Sequence, residues 1–217
     1  MIRHYYLRFS TLVASHTIAV LLVIHIVGVL GMLSPFQEIF RQFTPFTLLV
    51  SAILILISHR NPSTELYWFA GAVFLLGFAI EYIGVHTGML FGSYAYGKTL
   101  GLKIDEVPII IGINWFLIMY CVAVLTDVIA APAIVKIILG ASLAVAIDFL
   151  IEPVAMQYDF WSWKGDVVPM QNYIGWFFTS VIMISIFHLL RVKAETRMAL
   201  PYYFIQIFFF LLINLLQ

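Results

Sequence analysis

Residues 141–153 read A-S-L-A-V-A-I-D-F-L-I-E-P. Apart from Lys136 and Asp148, every residue from Ala133 to Ile151 is apolar or small. Asp148 and Glu152 stand four residues apart, which puts both carboxyls on one helix face, one turn apart. Pro153 is expected to end that helix. Ionisable groups in a membrane-length segment are costly, so they usually face a bundle interior and mark a functional site. The competing account is a structural pairing between helices.

The composition supports a membrane setting. Hydrophobic residues make up 63% of the 217 and charged residues 10%, against roughly a quarter charged in soluble domains. Mean hydropathy is +1.04. The fold expected is all-α, a polytopic transmembrane bundle forming a single integral membrane domain over residues 1–217. A template of about 20 apolar residues per crossing yields seven spans, at 11–33, 44–58, 66–87, 107–127, 132–152, 172–190 and 200–216. The first run is too long for a signal-peptide core and reads as a retained span.

Zero net charge offers nothing to nucleic acid. The one cysteine, Cys121, lies in an apolar run and reads as a small buried hydrophobe. Two connections are long, 87–106 and 153–171, and both fall on one side of the bilayer. The amino-terminal side carries Arg3, Arg8, Arg60, Lys136, Arg191, Lys193 and Arg197, and the other Arg41, Lys98, Lys103 and Lys164. By the positive-inside rule the amino terminus is cytoplasmic. The expected location is a prokaryotic inner membrane.

Polar residues gather toward the long-loop end. Glu81 lies late in span three, with His86 after it. Asn114 and Trp115 lie early in span four, Asp148 and Glu152 end span five, and Asn172, Tyr173 and Trp176 begin span six. Such segregation implies a pocket lined by carboxyls, amides and aromatics. The glycines and aromatics also have plain explanations in helix packing and interfacial belts. The carboxyls are harder to explain so, because Glu81, Asp148 and Glu152 have no evident cationic partner inside the spans.

Asp148 and Glu152 are expected to hold one proton between them, an acid and a base side by side. A carboxylate–histidine metal site from Glu81, His86, Asp148 and Glu152 is the competitor, although Glu81 and His86 are poorly spaced for one helix face. A retinal protein would need a lysine in the last span, which has none.

The stretches E-Y-I-G-V-H-T-G-M-L-F-G-S-Y-A-Y-G (81–97), V-P-I-I-I-G-I-N-W (107–115), I-D-F-L-I-E-P-V-A (147–155), D-F-W-S-W (159–163) and N-Y-I-G-W (172–176) resemble the membrane carotenoid-biosynthesis hydratases. This group includes gamma-carotene 1'-hydratase and bisanhydrobacterioruberin hydratase, and the resemblance covers roughly residues 66–190. It implies addition of water to the terminal double bond of an acyclic carotenoid end, with no cofactor and no metal. Asp148, Glu152 and Glu81 would be catalytic. His86, Tyr94, Asn114, Trp115, Asp159, Trp161, Trp163, Asn172, Tyr173 and Trp176 would hold substrate or water. The implied partners are a lipophilic carotenoid, the bilayer and other membrane enzymes of carotenoid synthesis. The rival reading is a carotenoid- or lipid-binding protein, or a proton-coupled carrier using the same acids.

Overall fold

The computed structural model describes residues 2–59, 62–193 and 197–216, with side chains in the first helix from His16 onward. Arg60 and the side chains of Arg3 and Arg8, used above to orient the bundle, lie outside the described residues. In chain order the elements are α1 (Ile2–Met32), α2 (Gln37–Arg41), α3 (Thr44–Ile57), α4 (Thr64–Thr87), β1 (Tyr94–Tyr96), β2 (Lys103–Ile104) and β3 (Val107–Pro108). They continue as α5 (Ile110–Asp127), α6 (Ala133–Gln157), β4 (Trp161–Trp163), α7 (Met170–Leu189) and α8 (Ala199–Leu216).

Helices α4 to α8 are each long and apolar enough to cross a membrane. His16–Met32 and α3 are shorter apolar helices. Local chemistry sets several ends. The Ser63 hydroxyl caps α4 by accepting from the Leu66 N–H, and Gly88 closes that helix in the left-handed conformation at φ 64°. Pro132 and Pro169 stand immediately before α6 and α7.

Helix α5 is the axis of the bundle. Trp115 to Ala123 are buried without interruption, as expected of a helix enclosed on every side. Helices α3, α4, α6, α7 and α8 all pack on it. Outward faces carry exposed Leu75, Phe149, Ile174, Phe178 and Phe208, the pattern of a lipid-facing surface.

Two features depart from expectation. Helix α6 does not stop at Pro153 but runs on to Gln157. Proline removes one backbone donor and crowds the carbonyl four residues back. Here that carbonyl belongs to Phe149, on the exposed face, and the ladder resumes with Tyr158 N–H to Val154 O at 3.0 Å. The extra turn delivers Tyr158, whose hydroxyl donates to the Met32 carbonyl of α1 at 2.9 Å.

The long connections are also not plain loops. Strand β1 pairs antiparallel with β4, with Tyr94 opposite Trp163 and Tyr96 opposite Trp161. Strands β2 and β3 form a second small ribbon. Alternation puts Tyr94, Tyr96, Trp161 and Trp163 on one face, covering the long-loop end of α4, α5 and α6.

Asp159, with φ 59°, turns the chain into β4. Its carboxylate accepts from the Lys98 N–H at 3.0 Å, and the Gly97 N–H donates to Phe160 O at 2.9 Å. A Cβ at Gly97 would collide with the Asp159 carbonyl oxygen, which is backbone and cannot swing away. Gly97→Ala is therefore expected to open the β1–β4 ribbon. Faster tryptic cleavage at Lys98 in detergent, against the wild type, measures it.

Candidate active site

Glu81 on α4 and Asp148 and Glu152 on α6 are all buried. No Lys or Arg forms a salt bridge with any of them among the described residues. Compensation comes instead from neutral donors. Glu81 Oε2 accepts from the Tyr94 hydroxyl at 2.5 Å and the Tyr96 hydroxyl at 2.6 Å, and its Oε1 accepts from Trp115 Nε1 at 2.9 Å. Glu152 Oε2 accepts from Trp161 Nε1 at 2.9 Å and Trp163 Nε1 at 2.7 Å. Its Oε1 accepts from Asn172 Nδ2 at 3.0 Å. Three donors on each carboxyl, and no acceptor, is the complement that an ionised carboxylate takes.

Asp148 differs. Its Oδ2 accepts from Asn172 Nδ2 at 2.8 Å, while its Oδ1 is buried with no hydrogen-bond partner. Asn172 thus ties the two acids of α6 together. Asp148 and Glu152 both interact electrostatically with Glu81.

The ribbon does most of the positioning. Period-two alternation points Tyr94 and Tyr96 at Glu81 and Trp161 and Trp163 at Glu152, so one short antiparallel pair supplies four of the six donors. Burial first, and then the neighbouring Glu81 charge, push the Tyr94 and Tyr96 phenols well above their ordinary range. Both therefore stay O–H donors.

Between the carboxyls lies a cavity of about 20 Å³, lined by Glu81, Glu152, Asn172, Ile111 and the rings of Phe91, Tyr94, Tyr96, Trp161, Trp163 and Trp176. That is roughly the room one water needs. Trp115 backs the cavity, stacked on Trp176 with centroids 4.0 Å apart and 21° between planes. This close stack is possible because Trp115 presses onto Gly77 of α4, where an added Cβ would sit 2.8 Å from it.

Of the residues expected at a site, Glu81, Tyr94, Trp115, Asp148, Glu152, Trp161, Trp163, Asn172 and Trp176 come together here. The others lie elsewhere. His86 is exposed, stacked on Tyr82 at 4.3 Å and 3.3 Å from Asp105 Oδ2. Asn114 is half-buried beside Trp115 but does not line the cavity. Asp159 is exposed and serves the ribbon turn. Tyr173 is half-buried on the other side of Asn172, its ring 5.8 Å from Phe149.

Among the described residues no three of His, Cys, Asp and Glu form a metal-holding group. His25, in α1, bonds Gln206 of α8 at 2.8 Å, away from the acids. Tyr96, Phe91 and Ile111 line the cavity without having been expected there. For Tyr96 the signal was present, since Y-A-Y and W-S-W each alternate large aromatic with small residue.

A model of the carotenoid biosynthesis protein family matches residues 43–217, from the start of α3 through α8. The chain belongs to the carotenoid biosynthesis protein family. The match extends beyond the stretch 66–190 and takes in every acid and every donor described above. Bisanhydrobacterioruberin hydratase of Haloarcula japonica is 25% identical over 162 residues, which is 71% of this chain and 54% of the relative. The chain thus spans about half the length of that curated relative. No solved structure matches. With five membrane-length apolar helices, this member of the carotenoid biosynthesis family is an integral membrane protein.

Proposed function

We propose that the chain is a carotenoid hydratase, adding water to the terminal C1'–C2' double bond of an acyclic end group of the gamma-carotene or lycopene type. One observation carries this reading. Two donor-saturated carboxylates flank a water-sized, aromatic-walled cavity that no cation among the described residues lines, and a third acid with one free oxygen stands one helical turn away. The curated relative is named as a hydratase.

In the proposed reaction Asp148 donates its proton to the less substituted alkene carbon. The electron pair of the double bond forms the new C–H bond, leaving a tertiary carbocation. A water held between Glu81 and Glu152 attacks that carbon through oxygen and loses a proton to one of these carboxylates. A proton is restored to Asp148 before the next turnover, while the Asn172 amide, which donates to both Asp148 and Glu152, holds the two acids together. The sum is one water added and nothing oxidised or reduced, so no redox partner is required.

Two negative charges and the rings of Trp176 and Trp163 in the cavity wall suit the cation. A desolvated cation–π contact contributes roughly 2 kcal/mol or more.

We also propose that α1 and α3 cross the bilayer, making seven spans, with the amino terminus in the cytoplasm of a prokaryotic cell. Protein expressed with lycopene or gamma-carotene in water enriched in ¹⁸O is expected to yield a tertiary alcohol carrying one heavy oxygen. Failure of the wild type to hydrate any acyclic-end carotenoid under these conditions would overturn the reading.

A further inference from the structure

The cavity between the carboxylates has space for a water but not for the branched end of an isoprenoid. That end must therefore reach the acids through a wall. Toward the long loops the wall is the β1–β4 ribbon, fastened to Glu81 and Glu152 by four donors. Toward α4 and α5 it is Trp115, stacked on Trp176 and seated against Gly77.

The seam between α6 and α7 is built differently. Asn172 on α7 reaches across it to Asp148 and Glu152. The next residue, Tyr173, is half-buried against Phe149 of α6 and interacts electrostatically with both acids. Tyr173 also lines an open, mainly apolar groove of about 330 Å³ on the exposed face, together with Ser142, Val145, Ile174, Phe177 and Phe178. Asp148, whose bond to Asn172 places its carboxyl at this seam, keeps one oxygen without a partner.

We infer that the α6–α7 groove is the docking track for the polyene, whose acyclic end slides past Tyr173 from the lipid to reach Asp148. This rests on the hydratase reading above. The chemistry of the groove fits such an occupant, being mainly apolar and continuous, through Tyr173 and Asn172, with the acids. A larger groove of about 520 Å³ lies between α1 and α8. Its lining residues are neither chain neighbours nor electrostatic partners of the three acids, whereas the α6–α7 groove is lined by Tyr173, which follows Asn172 and interacts with both acids of α6.

Single cysteines placed at mid-helix positions test this, since native Cys121 is buried. Ser142→Cys reports on the α6–α7 groove, Phe208→Cys on the α1–α8 groove, and Leu75→Cys on plain lipid-facing surface. Each carries a fluorophore in lipid nanodiscs titrated with lycopene, which quenches by energy transfer. The expected result is saturable loss of most emission at residue 142, with only shallow, unsaturable loss at 75 and 208. Equal quenching at all three, or the strongest at 208, would overturn the docking track.

Val145→Trp fills the groove without touching the acids and is expected to raise KM about tenfold with kcat retained, the signature of lost substrate binding. An unchanged KM would count against the groove. Saturable quenching at 142 without hydration of any acyclic carotenoid keeps the groove and removes the hydratase reading. Hydration with equal quenching does the reverse.

Discussion

Asp148→Asn is expected to lower hydration by about 10²–10⁴-fold, the usual contribution of a positioned acid, with the fold retained. The reason is in the hydrogen bonds. An asparagine oxygen can keep the bond from Asn172 Nδ2 that Asp148 Oδ2 now accepts, and its amide can occupy the place of the unpartnered Oδ1. Only the transferable proton is lost.

Glu152→Gln is expected to lose activity and stability together. Both oxygens of Glu152 already accept, one from two indoles and the other from Asn172. Whichever way the glutamine amide is turned, its NH₂ confronts at least one N–H. A buried donor left unmatched costs about 1–3 kcal/mol. Pigment extraction gives the activity and thermal unfolding in detergent the stability. Wild-type product from Asp148→Asn would sink its assignment as the proton donor, and unchanged stability in Glu152→Gln would show the donor shell to be slack.

Trp115→Ala should have the largest effect on stability, about 3–5 kcal/mol for removing a fully buried large aromatic, together with loss of hydration. The ring is wholly enclosed, stacks on Trp176, rests on Gly77 and donates to Glu81. Trp115→Phe separates these contributions. It keeps most of the volume and the stack but removes the N–H, so the loss of stability should fall to about 1.5–3 kcal/mol, typical of a bond to a charged group. Denaturation midpoints of the three proteins in one detergent decide between them. An alanine variant as stable as the phenylalanine one would mean that the stack contributes little.

Much of this was legible in the sequence because a bilayer leaves the chain few choices. Apolar runs of about 20 residues must be helices, and the expected spans at 66–87, 107–127, 132–152, 172–190 and 200–216 fall on α4 to α8 within a few residues. The acids stood out because so little else in those runs is charged.

The ribbon was not legible. Tyr94–Tyr96 and Trp161–Trp163 are far apart in the chain, each three residues long, and nothing local says which strand pairs with which. Without that pairing nothing distinguishes Tyr96 from the other aromatics of an interfacial belt, or marks it as a donor to Glu81. His86 was drawn in by proximity in sequence, yet five residues on a helix turn it away from Glu81, and it finds Tyr82 and Asp105 at the surface. Pro153 reads as a terminator, but one missing backbone bond on the lipid side was not enough to end α6.

The six donors are also divided by chain half. Glu81 draws on Tyr94, Tyr96 and Trp115, all within 34 residues of it, and Glu152 on Trp161, Trp163 and Asn172, all within 20. Each of these two acids thus draws all its donors from its own half of the chain. Residues 1–127 and 133–217, produced as separate polypeptides, should each insert without a stranded carboxylate and then dock through β1–β4 and the Trp115–Trp176 stack. A chain-order translocation machine could hand over these halves in succession, with the reaction chamber closing only at their union.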